Sequence, residues 1–205
     1  MNDIKIFEND LPSDIDLSNE KVIAIDNEAL GLVLGRDPLT LVQLGLESNK
    51  FYLIKLNRNT YEAPNLIKVL SSPSTQFIMH YARQDLLWLK YHLKVEPKNI
   101  FCTKVASKIA RTASSMHGYK DLVKSLCGKD ISKKEQQSDW GNPNLSEKQI
   151  AYAAQDTEYL FEIKEKLTKM LIREKRIDLF EKCMKVIPVL VDMQISGYKL
   201  ETFEH

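Results

Sequence analysis

Two acidic side chains stand at a spacing that could hold a divalent cation. Asp26 and Glu28 are two residues apart and directly follow the apolar run at residues 22–25. Residues two apart in a strand point to the same side, so both carboxylates would face one site. Carboxylates that share a site raise each other's pKa, and a divalent cation is the simplest compensation. Taken alone, the pair is more often only a charged turn after a strand.

Three residues further along the chain could complete such a site. Asp85 lies near the start of a predicted helix, where a carboxylate would in any case favour the positive end of the helix dipole. Tyr152 and Asp156 are four residues apart on another predicted helix and therefore share a face. Tyr152 alone fits an ordinary half-buried aromatic. The four acids together fit a site for two divalent cations.

The elements that must position these acids can be predicted from residue patterns. Apolar, β-rich runs separated by a polar turn predict an antiparallel meander, which a fourth short strand follows. Capping boxes, prolines and glycines mark the helix ends. The predicted strands are 22–25, 39–46, 51–56 and 76–79. The predicted helices are 64–72, 82–93, 103–111, 118–126, one long helix from 146 to about 170, and a last helix from about 176 that must bend or restart at Pro188.

Strands that come first and helices that follow indicate an α/β fold with a mixed central sheet flanked by helices. The ribonuclease H-like architecture fits this order. Residues 129–140 are polar and irregular, which predicts a surface loop.

The acids and the tyrosine resemble, in type, order and spacing, the three motifs of the DEDDy branch of 3′–5′ exonucleases, as in RNase D. These motifs are Asp26-Asn27-Glu28, then His80-Tyr81-Ala82-Arg83-Gln84-Asp85, then Tyr152-Ala153-Ala154-Gln155-Asp156. Asn27 stands where threonine is common in the family, and Gln84 where an aromatic residue is expected. Neither departure removes a metal ligand, but both could alter the grip on a substrate.

Further segments resemble the short RNase D relatives called nano-RNase C. They are residues 101–108, His117-Gly118, residues 136–140 and Phe203-Glu204-His205. This resemblance covers nearly the whole chain, so residues 1–205 are expected to form one exonuclease domain, with the helices from about 176 packed on it. It leaves no room for the C-terminal helical domains of the HRDC type that full-length RNase D carries. It also implies a homo-octamer.

The resemblance implies a role for each motif residue. Asp26 would bridge two Mg²⁺ ions, for which Mn²⁺ could substitute because the ligands are oxygens. Glu28 and Asp156 would complete the coordination of the ion that activates water, and Asp85 would help to hold the second ion. Tyr152, with an ordinary pKa near 10, is a poor general base at neutral pH and would orient the attacking water.

Several residues are candidates for substrate binding. Exposed helix charges are usually only solvated, and a lone histidine is usually structural, so each candidate has an ordinary alternative. An apolar side chain in residues 30–32 could wedge between the terminal bases or could simply belong to the core, and residues 132–140 could close over a 5′ phosphate. The candidates are Leu30, Gly31 and Leu32, with His80, and the cations Arg83, Lys104 and Lys108.

Composition narrows the classes of protein to which the chain could belong. The net charge of +1 gives no general attraction to nucleic acid, so any polyanion site must be a local patch. The sequence shows neither a targeting peptide nor a membrane helix, and three widely spaced cysteines suit reduced thiols in the cytoplasm. The favoured hypothesis is an exoribonuclease for short RNA oligonucleotides, dinucleotides above all. The alternatives are a general exonuclease acting on longer RNA or single-stranded DNA, and a catalytically silent nucleic-acid-binding module.

Overall fold

A six-stranded mixed sheet forms the centre of the fold. The structure, a computed structural model, describes residues 3–132 and 134–203. The strands are β1 (Asp3–Glu8), β2 (Val22–Ala29), β3 (Leu39–Gly45), β4 (Lys50–Lys55), β5 (Gln76–Met79) and β6 (Ile100–Cys102). Their order across the sheet is β1-β4-β3-β2-β5-β6. β2, β3 and β4 pair antiparallel, whereas β1, β5 and β6 each pair parallel to a neighbour.

The predicted antiparallel meander is therefore confirmed, and the sheet gains a strand at each edge that the sequence did not reveal. β1 lies in the acidic lead-in, and most of its side chains are exposed, so it lacks a clear apolar alternation. β6 has only 3 residues, too few for a period to show. Both edges complete the sheet without contributing a predicted site residue.

Helices cover the sheet. They are α1 (Pro64–Leu70), α2 (Ala82–Trp88), α3 (Thr103–Ala110), α4 (Tyr119–Leu122), α5 (Glu147–Glu158), α6 (Leu160–Arg173) and α7 (Ile177–Ile195). One π-helical turn extends α2 through Leu89–Leu93 and another extends α4 through Val123–Cys127. A mixed sheet flanked by helices confirms the predicted fold class.

Local signals explain most helix ends. Pro64 occupies the first turn of α1, where its missing N–H costs nothing, and Gly128 ends the turn after α4 with φ +68°. Ser146 and Gln149 form the predicted capping box of α5. The prediction of one helix from 146 to about 170 was wrong, because α5 and α6 are separate helices that meet at Tyr159.

The C-terminal helix begins close to its predicted start and continues through Pro188, so of the predicted bend or restart, the restart does not occur. It packs mainly against α2, while α6 packs against α3. Phe180, Met184 and Ile187 of α7 join the main hydrophobic core. No helix in residues 3–132 or 134–203 is long and apolar enough to cross a membrane. Glu204 and His205 of the family-like tail lie outside the described residues.

Candidate active site

The first two acids lie within a central strand and not after it. β2 continues through Asp26 and Glu28 to Ala29, four residues beyond the predicted end. In the antiparallel register, Asp26 lies opposite Gln43 and Glu28 opposite Leu41 of β3. The polar residues lengthen the strand because the ladder with β3 pairs their backbone. Strand alternation then directs both carboxylates to the same face of the sheet.

Helix α5 crosses that face at very short range. Gly45 of β3 permits this approach, because a Cβ there would lie 2.7 Å from the hydroxyl oxygen of Thr157. Thr157 is fully buried. A larger residue at position 45 would push α5 outward. The contact therefore brings the face of α5 that carries Tyr152 and Asp156 over the two acids of β2.

Three carboxylates meet at this point. Among the described residues, one carboxylate oxygen from each of Asp26, Glu28 and Asp156 lies within 4.8 Å of the others. Asp85 of α2 is not part of this group, although its electrostatic field reaches Glu28. It is buried, with 6% of its surface exposed, and its backbone carbonyl accepts a hydrogen bond from Asn27 Nδ2. The structure thus brings all four predicted acids into one electrostatic centre.

Burial and mutual repulsion both act on these acids. Loss of solvent raises the pKa of Glu28, and the negative charges of Asp26, Asp156 and Asp85 raise it further. Loss of solvent is also the main cause that raises the pKa of Asp26 and of Asp85. Buried carboxylates that raise one another's pKa in this way cannot all ionise without positive charge nearby. The site has the oxygen donors and the excess negative charge that suit a divalent cation.

Tyr152 adds a protonated phenol beside the acids. Its residue is 9% exposed, and its ring centroid lies 6.0 Å from that of Trp140. Burial and then the charges of Asp156, Glu28 and Asp26 raise the pKa of Tyr152 far above its ordinary value, and its hydroxyl hydrogen-bonds to Asp156. The hydroxyl therefore keeps its proton near neutral pH in the metal-free protein.

A cavity of about 920 Å³ opens over the acids. Leu30, Gly31, Leu32, His80 and Lys104 line it, as the sequence predicted for substrate-binding residues. Arg83 and Lys108, predicted as phosphate contacts, are not among the lining residues. Lys108 lies one turn beyond Lys104 on α3 and is exposed.

The loop after β2 presents an apolar tip. Leu32 is 79% exposed, which excludes the alternative that it belongs to the core. Asp37 holds this loop closed: its carboxylate accepts the Val33 N–H at 2.9 Å and two guanidinium hydrogen bonds from Arg36. These bonds lower the pKa of Asp37 to about 2. A Cβ at Gly31 would lie 2.1 Å from Asp37 Oδ2, so glycine is required where the loop crosses this carboxylate.

His80 and Lys104 have defined partners at the cavity wall. His80 Nδ1 lies 2.9 Å from the hydroxyl of Thr103, which in turn donates to the carbonyl of Met79. Lys104 Nζ lies 4.0 Å from the ring centroid of Tyr81, and Arg83 Nη2 donates to the Tyr81 hydroxyl. Arg83 thus contributes to the site through Tyr81, a residue that sequence reasoning did not select.

The predicted loop contributes to the wall of the cavity. Residues 136–140 line it, with Ile131 and Ser132, while Lys133 lies outside the described residues. Gln149 fixes this wall to the start of α5, because its Nε2 donates to the Ser138 hydroxyl and to the Asp139 carbonyl, each at 3.0 Å.

Other lining residues were missed in the sequence. Tyr119 and Trp88 line the cavity, and the Tyr119 ring centroid lies 5.6 Å from that of His80. The only signal for Tyr119 was its place directly after His117-Gly118, because a tyrosine on a short helix looks like any half-buried aromatic. Gln84 also lines the cavity, although an aromatic residue was expected there.

The mixed sheet, its flanking helices and four acids beneath one cleft define a ribonuclease H-like fold with the site of a phosphodiesterase. A model of the 3′–5′ exonuclease family matches residues 8–172. The chain belongs to this 3′–5′ exonuclease family.

Two proteins illustrate the likeness. Ribonuclease D of Gluconacetobacter diazotrophicus is 37% identical over 165 residues, which are 79% of this chain and 41% of that protein. The structure of Brucella melitensis NrnC bound to pGG matches with a TM-score of 0.94 and 36% identity over 100% of both chains. NrnC with bound Mg²⁺ matches with a TM-score of 0.90 and 36% identity, covering 95% of this chain and 94% of NrnC. The chain thus spans about two fifths of the ribonuclease D but the full length of NrnC.

Proposed function

We propose that the protein is a metal-dependent 3′–5′ exoribonuclease that hydrolyses short RNA oligonucleotides, preferably dinucleotides, to nucleoside 5′-monophosphates. The observation that carries this proposal is the cluster of Asp26, Glu28 and Asp156 within 4.8 Å, with buried Asp85 and protonated Tyr152 beside it. The resemblance to ribonuclease D and to NrnC supports the direction of attack and the type of substrate.

The donor set fits two divalent cations. Asp26 belongs to the group with Glu28 and Asp156, and its charge also raises the pKa of Asp85, so we propose that it would contribute to holding both cations. Magnesium is the cation held by the similar NrnC, and manganese shares its preference for oxygen ligands. When bound, the cations would lower the pKa of the attacking water and stabilise the charge that develops on the phosphate.

The side chains of this chain supply orientation. Tyr152 directs its proton toward Asp156, which leaves a lone pair of the phenol oxygen to accept a hydrogen bond from the attacking water. The water is thereby turned with its own lone pair toward the phosphorus. His80, fixed through Thr103, faces the same cavity and would contact the scissile phosphate. Lys104 would add a positive charge for the phosphate backbone.

We propose that the residues lining the cavity favour dinucleotides. Leu32 is exposed at the cavity and is free to insert between two bases, and residues 136–140 also line the cavity. The binding of the short nucleotide pGG by NrnC supports a preference for such lengths.

We also propose that the protein assembles with copies of itself, as an octamer. Leu179, Val186 and Val189 are each about half exposed and lie along one stripe of α7. A second copy of the chain would cover this stripe. Multi-angle light scattering would give the mass directly, and a monomer at all concentrations would contradict the proposal.

The test of the activity is a length series. The protein and an Asp85→Ala variant would be incubated with Mg²⁺ and 5′-labelled RNAs of two to seven nucleotides, and with the matching DNAs. Rapid loss of the dinucleotide alone would support the proposal. Equal trimming of every length, or of DNA, would indicate a general exonuclease of the ribonuclease D type. Cleavage that is absent, or that persists in Asp85→Ala, would contradict a metal-dependent nuclease at this site.

A further inference from the structure

Helices α5 and α6 are divided at a point where the sequence gives no reason for a break. The last residue of α5 is Glu158, the first of α6 is Leu160, and Tyr159 between them has φ −94° and ψ 0°. Neither proline nor glycine occurs between residues 147 and 173. Sharp changes of direction in helices otherwise arise where a side chain enters the backbone hydrogen-bond ladder.

The side chain that enters is Tyr119, from α4. Its hydroxyl donates to the carbonyl of Gln155 at 2.7 Å and accepts the N–H of Tyr159 at 3.2 Å. In an uninterrupted helix, the N–H of Tyr159 would itself donate to the carbonyl of Gln155. The phenol oxygen therefore lies between this N–H and this carbonyl. Its two hydrogen bonds take the place of the one backbone hydrogen bond.

This insertion lies next to a proposed metal ligand. Gln155 directly precedes Asp156, whose carboxylate meets those of Asp26 and Glu28. The ring of Tyr119 lines the active-site cavity beside His80, so one residue contacts both the cavity and the backbone that carries the ligand. Burial raises the pKa of the Tyr119 hydroxyl well above its ordinary value, which keeps its proton available for Gln155.

We propose that Tyr119 is a positioning residue that opens the last turn of α5 and thereby directs Asp156 toward the carboxylates of β2. Without the hydroxyl, the bond between Tyr159 and Gln155 can close, and the last turn of α5 would tighten. Asp156 would then turn with its backbone. The inference rests on the metal site of the proposed function, because it concerns one of its ligands.

The test is Tyr119→Phe, which removes the hydroxyl and keeps the ring. Tyr159→Phe is the matched control, because it removes a phenol hydroxyl at the same junction and leaves the backbone N–H in place. Mg²⁺ binding to the metal-free protein would be measured by calorimetry, without substrate. Residues that orient metal ligands typically change affinity by about 10- to 100-fold, so we expect Tyr119→Phe to bind Mg²⁺ about tenfold more weakly. Tyr159→Phe should bind it normally.

The outcomes separate this inference from the proposed function. If the unmodified protein bound no Mg²⁺, the proposed metal site would fail. If it bound Mg²⁺ and Tyr119→Phe bound it equally well, only the positioning role would be overturned. Should Tyr119→Phe not fold, 4-aminophenylalanine at position 119 would restore a donor to Gln155. Near-normal Mg²⁺ affinity in that protein is expected, and a loss as large as that of Asp156→Ala would overturn the role.

Discussion

Asn27 Nδ2 donates a hydrogen bond to the backbone carbonyl of Asp85 across 3.1 Å. The residue between the two acids of β2 thereby ties that strand to the helix that carries the third acid. Asparagine stands here in place of the threonine common in the family, and its longer side chain makes this contact.

Asn27→Ala should therefore displace Asp85 while leaving β2 intact. We expect a loss of about 1 kcal/mol in the free energy of unfolding, typical of one buried hydrogen bond. We also expect kcat to fall more than KM changes, because the shifted group is a proposed ligand. Urea denaturation and steady-state kinetics would measure both. Asn59→Ala, at an exposed position, is the control, and equal behaviour of the two variants would contradict the role of Asn27.

Tyr152→Phe should separate orientation of the water from binding. The phenylalanine ring can keep the packing against Trp140 and loses only the hydroxyl beside Asp156. We expect kcat to fall by about 100-fold or more, with little change in KM for RNA. Activity near that of the unmodified protein would show that the phenol has no part in the reaction.

Lys104 and Lys108 offer a matched pair of cations on α3. Lys104 lines the cavity, and Lys108 does not. Lys104→Ala should raise KM for RNA. It should also reduce the slope of log KM against log salt concentration by about 1, because one phosphate contact is lost. Lys108→Ala should change neither. Equal effects of both variants would mean that the basic face of α3 acts as a whole.

Asp37 and Leu32 should act through one shared feature, the closed loop after β2. Leu32→Ala and Asp37→Ala are each expected to raise KM for a dinucleotide, the first by loss of the apolar tip and the second by loss of the bonds to Val33 and Arg36. In a double-mutant cycle, the second substitution should add little to the first. Fully additive effects would show that Asp37 acts elsewhere.

Glu28→Gln should stabilise the metal-free protein while abolishing its activity. The pKa of Glu28 is raised in the folded state, so its contribution to stability is present at low pH and is lost as pH rises through the folded pKa. In EDTA, the melting temperature should thus fall from about pH 5 up to the folded pKa of Glu28, about 10, and Glu28→Gln should reduce this fall. Each kcal/mol regained in the free energy of unfolding would raise the melting temperature by roughly 2–4 °C. A lower melting temperature in the variant would contradict the claim that Glu28 and its neighbouring carboxylates repel one another.

The sequence was most informative where a local pattern determined the structure. The central meander, β5 and the capping box at Ser146 all follow from short-range periodicity and capping chemistry. The motifs were also sufficient to predict that Asp26, Glu28 and Asp156 would meet. Their meeting was predictable because the spacing of each motif fixes a face, and the family resemblance fixes which faces combine.

What the sequence did not reveal depends on contacts between distant segments. The break at Tyr159 results from a hydroxyl 40 residues away, which no local pattern encodes. The extension of β2 through its acids results from pairing with β3. Arg83 and Lys108 have suitable charge and spacing, but their distance from the cavity depends on how α2 and α3 pack.

The pairing of β2 has a consequence for how cations bind and dissociate. β5 pairs with β2 only as far as Ala24, while β3 stays paired with it through Asp26 and Glu28. Asp26 and Glu28 therefore stand on backbone that β3 holds on one side, unlike metal sites whose chain becomes ordered only on binding. A cation could bind to these two carboxylates and leave them without any refolding of β2.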